Sequence, residues 1–301
     1  MLTHFGLELL KPEWHSSIVC IGTFDGLHLG HRAVIGTAVH HGRAKELPVV
    51  VVTFDRHPAA VLAPERCPKA IGSLSQNLGW IADLGVSATI VLPFNAWLSR
   101  MSAERFLREL LIGTIRAEAV VVGHDFAMGN GREGDSTWLS QRIQTTVVPA
   151  FELNGVRTSS SQIRKAILNG DMESARTMLG RPFQIEGVVV SGQKLGRTLG
   201  YPTLNLARGI DQVMPPDGVY VGQVGNHRAA ISIGMRPAVQ GDHRTIEAYL
   251  LNYSGDSLYS SAVAIDFYHR LRGEENFASL DDLTRAIEKD VKACQNYLSL
   301  I

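Results

Sequence analysis

The order of hydrophobic segments changes near residue 180, and this change constrains the fold more than any other feature. Before it, short β-branched runs alternate with stretches of helical periodicity. The runs lie at 17–24, 47–54, 88–94, 119–123 and 145–151, and the helical stretches at 30–45, 75–84, 102–115, 136–143, 160–169 and 172–179. Such alternation is typical of a doubly wound parallel sheet, in which ligands bind beyond the carboxyl ends of the strands. We therefore predict an α/β domain with a parallel sheet over residues 1–180.

After Pro182 the pattern is one strand after another, separated by turns. The strand candidates are QIEGVVVSG, GVYVGQV, RAAISIG, TIEAYLLNY and SAVAIDFY. Successive short strands indicate an antiparallel barrel or sandwich. From Ser279 onward, apolar residues recur at spacings of three and four, which predicts an amphipathic helix packed on the strands. They are Leu280, Leu283, Ile287, Val291, Cys294 and Leu298. We predict an antiparallel β-barrel with a terminal helix over residues 181–301.

Charge and cysteine content exclude several classes of protein. The 29 Lys and Arg balance 29 Asp and Glu, whereas a nucleic-acid or membrane-surface protein needs clustered basic residues. The three cysteines are far apart, so neither a disulfide framework nor a cysteine zinc site is indicated. No apolar run approaches the roughly 20 residues of a membrane span, and the first residues lack a signal-peptide pattern. We expect a cytoplasmic protein that binds neither nucleic acid nor membrane.

The first strand candidate leads directly into the motif GTFDGLHLGH, Gly22–His31, and then into a helix. Glycines let the backbone approach a ligand closely, and a helix N-terminus attracts phosphate. Two imidazoles there, His28 and His31, can stabilise charge that develops on a phosphate in a transition state. Two alternatives are a metal pair with Asp25 as third ligand and a purely structural role.

Two further segments belong to the same predicted edge of the sheet. Hydroxyls and an arginine stand before and within a helix at Thr158–Arg164 and could hold a triphosphate, although a Ser/Thr run is also an ordinary N-cap. The glycine-rich loop Gly123–Asp135 follows the fourth strand, and it could equally be a surface loop.

The second half carries a different glycine-rich motif, GQKLGRTLGYPTLN, at residues 192–205. Lys194 or Arg197 could meet a phosphate. Thr203 and Asn205 are oxygen donors two residues apart in an extended segment, so they point the same way and could share Mg²⁺ with ATP. The alternative is a polar loop with a proline turn. On the strand candidate TIEAYLL, Glu247 and Tyr249 share the face opposite Ile246.

These motifs resemble two known signatures. HLGH after TFDG, together with TSSSQIR, is similar to the nucleotidylyltransferase superfamily. The segment at 192–205 resembles the riboflavin kinase signature G-x-x-x-G-R-x-L-G-[FY]-P-T-A-N, and IEAYLL resembles its strand E-x-H-L-L. Their order over essentially the whole chain identifies it as similar to the prokaryotic FAD synthetases, the bifunctional riboflavin kinase/FMN adenylyltransferases. The resemblance implies a Rossmann-like first domain that converts FMN and ATP to FAD and pyrophosphate. It implies a second domain that converts riboflavin and ATP to FMN and ADP.

The resemblance also implies roles for individual residues. His28, His31 and Glu247 are catalytic, the histidines at the adenylyl transfer and Glu247 as the base for the ribityl hydroxyl. Asp125 and Phe126 position the flavin substrate, and Thr203 and Asn205 bind Mg²⁺. The expected ATP- and phosphate-binding residues are Gly22, Phe24, Asp25, Gly30, Ser159, Ser160, Arg164, Gly192, Lys194, Gly196 and Arg197. We expect Mg²⁺, ATP as co-substrate, no permanently bound prosthetic group, and a monomer or weak homo-oligomer that binds riboflavin, FMN, FAD and ATP.

Several residues depart from the family's pattern. Gln162 stands where a basic residue is usual, and Ala127 where an aromatic or basic one is common. Leu204 replaces alanine, and Tyr249 replaces histidine. Because Gln162 and Ala127 fall in the adenylyltransferase half, that activity could be weakened, and Gln162→Arg would then raise FAD formation. The alternatives are a protein with only one of the two activities and a flavin-binding regulator without turnover.

Overall fold

A computed structural model of the chain describes residues 1–7, 12–153, 155–192, 198–209, 211–236, 243–256 and 258–299. Three predicted phosphate-binding residues, Lys194, Gly196 and Arg197, lie outside these ranges. The chain divides into two compact units, Met1–Ser160 and Ser161–Ile301. The division of function at residue 180 stays a prediction.

The first unit alternates strands and helices. Its strands are β1 (Leu2–Phe5), β2 (Ser17–Ile21), β3 (Val49–Phe54), β4 (Ala88–Leu92), β5 (Ala117–Gly123), β6 (Ala127–Met128), β7 (Gly134–Asp135), β8 (Gln144–Val148), β9 (Glu152–Leu153) and β10 (Val156–Arg157). Its helices are α1 (Leu29–Lys45), α2 (Ala59–Leu62), α3 (Leu74–Ala82), α4 (Ala96–Ser99), α5 (Ala103–Arg105) and α6 (Ser136–Ser140), with a π-helical continuation Phe106–Thr114 and 3₁₀ turns Pro64–Arg66 and Asn130–Arg132.

Six of these strands form one sheet in the order β1-β4-β3-β2-β5-β8, and every pair in it is parallel. Strand order reverses beside β2, where β3 lies on one side and β5 on the other. In such sheets this reversal opens a crevice at the carboxyl ends of the strands. The segments after β2 and β5, which carry two of the predicted motifs, start at that crevice.

Strand β2 is buried along its whole length because both faces of the sheet are covered. Val19 and Ile21 belong to one core cluster, which also contains the π-helical residues. Ile18 and Cys20 belong to a second cluster, which includes the buried face of α1. Residues that alternate along a strand point to opposite faces, so the apolar run SIVCI reflects a strand covered on both sides.

The second unit begins with two helices and continues with strands. Its elements are α7 (Ser160–Leu168), α8 (Met172–Leu179), β11 (Phe183–Val190), β12 (Thr203–Arg208), β13 (Gly218–Val224), β14 (His227–Arg236), β15 (His243–Leu250), β16 (Ala262–Gly273) and α9 (Leu280–Leu298). Asp171 caps α8 through its side chain, and Gly180 ends that helix in a left-handed conformation.

The six strands close into an antiparallel barrel in the order β11-β12-β15-β14-β13-β16. Ile246 and Ala248 face its interior at 1% and 0% exposure. The barrel core also contains the packed rings of Phe183, Tyr220 and Phe267. Ser279 caps α9, whose residues Cys294 and Leu298 pack against the outside of the barrel.

The predicted fold class is confirmed in both halves, with three differences in detail. Strand β1 was not predicted, because four residues at the edge of a sheet leave no clear pattern. Strand β12 was expected only as an extended segment, yet it is a full member of the barrel. Leu280 was predicted on the packed face of α9 but is 60% exposed, because it lies in the first turn of the helix. No helix among the described residues is long and apolar enough to cross a membrane.

Candidate active sites

The loop from β2 to α1 has an unusual backbone. Phe24 (φ 47°), Gly26 (φ 72°) and Leu27 (φ 33°) all adopt left-handed conformations, although two of them carry a side chain. Such residues persist only where the surrounding structure fixes them. A Cβ atom at Gly22 would lie 2.9 Å from the Phe24 ring, so glycine is required there for Phe24 to fold back.

Two buried polar side chains fix this loop. Asp25 is 9% exposed, and its Oδ1 accepts hydrogen bonds from the backbone N–H groups of Ile71 (2.9 Å) and Gly72 (3.1 Å). Its Oδ2 accepts from the Ile71 N–H at 3.1 Å. The Asn77 Oδ1 accepts from the Gly26 N–H at 2.9 Å. The Asp25 carboxylate is thus occupied by backbone donors, and its predicted ATP-binding role stays a prediction.

The two histidines of the motif are in contact. Their rings are stacked with centroids 3.6 Å apart, and the Phe24 ring meets His31 edge-on at 5.4 Å. His28 is 6% exposed and is the N-cap of α1, where its Nδ1 accepts a hydrogen bond from the His31 N–H at 3.3 Å. A Cβ atom at Gly30 would lie 3.1 Å from the His28 ring. The first turn of α1 contains no acidic residue, so no carboxylate in that turn would repel an anion.

The predicted anion-binding segment meets the same loop at its first residues. Thr158 is 5% exposed, and its N–H donates to the Phe151 carbonyl at 2.9 Å. Ser160 begins α7, and its hydroxyl donates to the Asp25 carbonyl at 3.4 Å. Ser159 and Ser160 therefore lie at the loop that carries the histidines. Gln162 is exposed within α7, and Arg164 follows two residues later in the same helix.

The glycine-rich loop after β5 folds into a small ribbon, in which β6 pairs with β7. The Asp125 carboxylate is 73% exposed and accepts from Arg157 at 3.3 Å, while Arg132 donates to the Asp125 carbonyl at 3.0 Å. Phe126 is half-buried against the sheet's core cluster. Asp125 is the more available of the two predicted flavin-positioning residues.

The second predicted site lies on the outer face of the barrel. Thr203 and Asn205 are on β12, and Glu247 is directly opposite Asn205 on β15. The Thr203 hydroxyl donates to the Glu247 carboxylate at 2.8 Å. Asn205 is 9% exposed, and a Cβ atom at Gly192 would lie 2.3 Å from its Nδ2. The structure therefore brings Gly192, Thr203, Asn205 and Glu247 together, and their proposed roles stay predictions.

A cavity of about 310 Å³ opens beside this group, between the barrel and α9. Thr203, Glu247 and the aromatic pair Tyr201 and Tyr249, with ring centroids 5.2 Å apart, form one side of it. The pKa of the Tyr201 phenol lies above its usual value because of desolvation, with a further contribution from the Glu288 carboxylate. The Tyr201 ring therefore presents a neutral, planar surface to the cavity near neutral pH, and the Tyr249 ring lies beside it.

Sequence reasoning missed the opposite wall of the cavity. Asp290 of α9 is 8% exposed and accepts from Arg272 of β16, with Nη2 to Oδ2 at 2.7 Å and Nε to Oδ1 at 3.1 Å. The sequence did contain a signal for this contact, because Asp290 is an acidic residue on the apolar face of α9, between Ile287 and Cys294. Asn77 was also missed, because one asparagine within a helical stretch carries no motif.

Within the described ranges, no three His, Cys, Asp or Glu side chains form a group that could hold a metal ion. This includes the alternative set of His28, His31 and Asp25. Thr203 and Asn205 supply oxygen atoms of other kinds, which are ligands that Mg²⁺ accepts together with phosphate oxygens.

Comparisons with known proteins agree with the division into two halves. A family model described as FAD synthetase matches residues 10–162, and one described as riboflavin kinase matches residues 179–298. Relatives from Escherichia coli (strain K12) and Bacillus subtilis (strain 168), each named bifunctional riboflavin kinase/FMN adenylyltransferase, are 34% identical. Both alignments cover 97% of this chain and 96% of the relative. A relative of the same name from Pseudomonas fluorescens is 35% identical and is covered to 96%.

A solved structure is similar over the same length. It is described as a macrolide-efflux protein from Streptococcus pneumoniae and matches with a TM-score of 0.90 at 29% identity, over 98% of this chain and 99% of that one. The efflux activity in that description belongs to that protein alone. Its shape shows that both halves of this chain adopt a fold already observed by experiment.

Proposed function

The chain belongs to the family of bifunctional riboflavin kinase/FMN adenylyltransferases, and we propose which of its residues carry out each reaction. It phosphorylates riboflavin to FMN with ATP, and it transfers an adenylyl group from ATP to FMN to give FAD and pyrophosphate. The FAD synthetase match covers the parallel-sheet half and the riboflavin kinase match covers the barrel half. The functional boundary we propose is residue 180.

In the first half, His28 and His31 stabilise the adenylyl transition state. The observation that supports this role is the stacked histidine pair at an α1 N-terminus without acidic residues. Imidazole N–H groups and the helix end act where negative charge develops on the α-phosphate as the FMN phosphate attacks it. The backbone at Gly22, Phe24 and Gly30 borders the nucleotide.

The remaining residues of that half hold the other groups. Ser159, Ser160 and Arg164 bind the phosphates that leave as pyrophosphate. Asp125 positions the flavin substrate, since its carboxylate is exposed beside Arg157 and Arg132. Phe126 contributes through packing. We propose that Asp25 contacts ATP only with its backbone, because its carboxylate already accepts hydrogen bonds from Ile71 and Gly72.

In the second half, Glu247 accepts the proton of the riboflavin hydroxyl that attacks the γ-phosphate of ATP. The observation that carries this role is the 2.8 Å hydrogen bond from Thr203, which holds the carboxylate at the cavity wall. A positioned carboxylate of this kind raises the nucleophilicity of the hydroxyl in the transition state. Gly192, with Lys194, Gly196 and Arg197, belongs to the proposed ATP-binding segment.

Mg²⁺ fits the donor set of this half. The Thr203 hydroxyl and the Asn205 amide lie on one face of β12, and Gly192 leaves room beside the amide. When bound, Mg²⁺ neutralises charge on the ATP phosphates. We propose Thr203 and Asn205 as its protein ligands, with ATP as co-substrate and no resident prosthetic group. A cytoplasmic location and a monomeric or weakly associated state stay predictions.

The Mg²⁺ dependence of riboflavin phosphorylation tests this assignment. Asn205→Ala is expected to raise the Mg²⁺ concentration needed for half-maximal rate, because a ligand is lost. Asn296→Ala removes an exposed amide on α9, outside the site, and serves as the matched control. A Mg²⁺ requirement that is the same in Asn205→Ala and the wild type would contradict the assignment.

Gln162→Arg tests the separate hypothesis of a weakened adenylyltransferase, and unchanged FAD formation would count against it.

A further inference from the structure

The backbone conformation of the loop that carries the catalytic histidines depends on contacts from outside the loop. Of the four residues between Thr23 and His28, all except Asp25 have positive φ, and Phe24 and Leu27 do so with a side chain. A short run of such residues relaxes to ordinary backbone unless contacts from elsewhere prevent it. The contacts that prevent it come from the segment Ile71–Asn77.

Asp25 provides the first of these contacts. Its buried carboxylate accepts the N–H groups of Ile71 and Gly72, two consecutive backbone donors. Removal of a carboxylate from water is unfavourable unless its oxygens are hydrogen-bonded, and here both are. A carboxylate that instead faced the ATP phosphates would repel them. The geometry therefore fits a tether better than a ligand of the nucleotide.

Asn77 provides the second contact. Its Oδ1 accepts the Gly26 N–H at 2.9 Å, and its Nδ2 donates to the Gly72 carbonyl at 3.4 Å. The side chain thus ties the loop to the same segment that receives Asp25. Asn77 is 9% exposed, so loss of its oxygen would leave a buried N–H without that acceptor.

The segment that receives the loop is itself firmly fixed. Ser73 and Gln76 form a capping box at the start of α3, with Gln76 N–H to Ser73 Oγ at 3.0 Å and Ser73 N–H to Gln76 Oε1 at 2.8 Å. Ile71 is 1% exposed, and a Cβ atom at Gly26 would lie 2.6 Å from its Cγ2. The loop and this segment fit together closely enough that a shift of one moves the other.

We propose that Asp25 and Asn77 are positioning residues for adenylyl transfer. They hold the left-handed loop so that His28, only two residues beyond Gly26, caps α1 and stacks on His31. This inference rests on the proposed role of the two histidines. It replaces the expectation that the Asp25 side chain binds phosphate.

The test measures FMN adenylylation and riboflavin phosphorylation in the same preparations of the full-length enzyme. Asn77→Leu keeps the branched shape and the number of heavy atoms and removes the hydrogen bonds, and Asp25→Ala removes the carboxylate. Each is expected to lower kcat for FAD formation by about 10- to 100-fold, with little change in the KM for ATP, because misplaced catalytic groups lose rate rather than substrate binding. Riboflavin phosphorylation is expected to stay at the wild-type rate.

Two further variants separate a tether from the alternatives. Asp25→Asn keeps an oxygen at the acceptor position but no charge, and it is expected to recover most of the kcat lost in Asp25→Ala. Ser17→Ala removes a buried hydroxyl that donates to the Ile115 carbonyl at 3.0 Å, at the end of β2 away from the loop. It is expected to lower the melting temperature while leaving kcat for FAD formation close to wild type.

Several outcomes would overturn the proposal. An unchanged kcat in Asn77→Leu would show that the tether is not needed. A KM for ATP raised equally in Asp25→Asn and Asp25→Ala would show that the carboxylate acts on the nucleotide through its charge. If Asp25→Ala does not fold, Asp25→Asn and Asn77→Leu decide the question. A wild-type enzyme that makes no FAD would contradict the proposed function itself, which is a different result.

Discussion

His28 has two tasks that a single substitution can separate. Its Nδ1 caps α1, and its ring stacks on His31 at the candidate adenylyl site. Asparagine is an equally good N-cap but has no imidazole. The sequence predicted the second task from the motif, whereas the cap depends on a rotamer that the pattern does not encode.

His28→Asn is therefore expected to keep the fold and to lose most of the adenylyl-transfer activity. FAD formation from FMN should fall by about 10²- to 10³-fold, the usual cost of removing one transition-state donor. Riboflavin phosphorylation and the melting temperature should stay close to wild type. Steady-state assays of both reactions check this. Equal losses in both would mean that the substitution unfolds the protein, and no loss in either would contradict the catalytic role.

Glu247 offers the corresponding experiment in the barrel. Glu247→Gln keeps the acceptor for the Thr203 hydroxyl but cannot take a proton. Riboflavin phosphorylation should fall by about 10²- to 10⁴-fold, as expected when a general base is lost, while FAD formation from added FMN continues. Glu186→Gln, on β11 and away from the cavity lining, is the matched control. Wild-type phosphorylation by Glu247→Gln would rule out Glu247 as the base.

At the scale of elements, the motif on strand β12 predicts which side chains share a face, but not which strands pair with it. The sequence predicted that Thr203 and Asn205 share a face, because alternation follows from any extended segment. It did not reveal that β12 lies between β11 and β15, since strand pairing over long sequence separation leaves no local signal. That pairing is what places Asn205 opposite Glu247.

A substitution at Gly192 tests whether the close approach of its backbone to the Asn205 side chain is needed for activity. An alanine Cβ would lie 2.3 Å from the Asn205 Nδ2, so Gly192→Ala must displace either the amide or the backbone. We expect riboflavin phosphorylation to fall by at least about tenfold, since small displacements of binding groups cost this much or more. Gly209→Ala, at the end of β12 with nothing within 4 Å of the added atom, should be harmless. A fully active Gly192→Ala would show that Asn205 is not needed where it lies.

Helix α9 gives a similar contrast between prediction and structure. Its amphipathic spacing was sufficient to predict the helix and its Ser279 start. The spacing did not reveal the partly buried Arg272–Asp290 ion pair, because a charged residue only interrupts the apolar pattern of a helix face. Only the folded barrel brings Arg272 to it.

At the scale of the whole molecule, the order of the two architectures and of the two motif sets could be predicted from the sequence. Each motif spans few residues, and the strand and helix patterns around it are strong. The cavity could not be predicted, because it is assembled from β12, β13, β14, β15, β16 and α9, several of which are distant in sequence. The edge strand β1 escaped prediction for a different reason, because its four residues leave no clear pattern.

The pH dependence of stability provides a test at this scale. Burial raises the pKa of the Asp266 carboxyl, although the Gln184 amide donates to it and Arg181 is nearby. With a raised folded-state pKa, the folded state loses stability as the pH rises from the unfolded-state pKa to the folded-state pKa, and the loss is complete above the latter. Asp266→Asn is thus expected to raise the urea midpoint near pH 7, and the gain should disappear towards pH about 4, where the carboxyl binds a proton. A lower midpoint at pH 7 would contradict this.

The central claim is that one chain makes FMN at its barrel and FAD at its parallel-sheet half. The most direct measurement incubates the purified protein with riboflavin, ATP and Mg²⁺ and follows both flavins by chromatography over time. The account predicts that FMN appears first and FAD follows, that His28→Asn stops at FMN, and that Glu247→Gln makes neither product from riboflavin but makes FAD from added FMN. FAD formation from riboflavin by Glu247→Gln, or from FMN by His28→Asn at the wild-type rate, would contradict it.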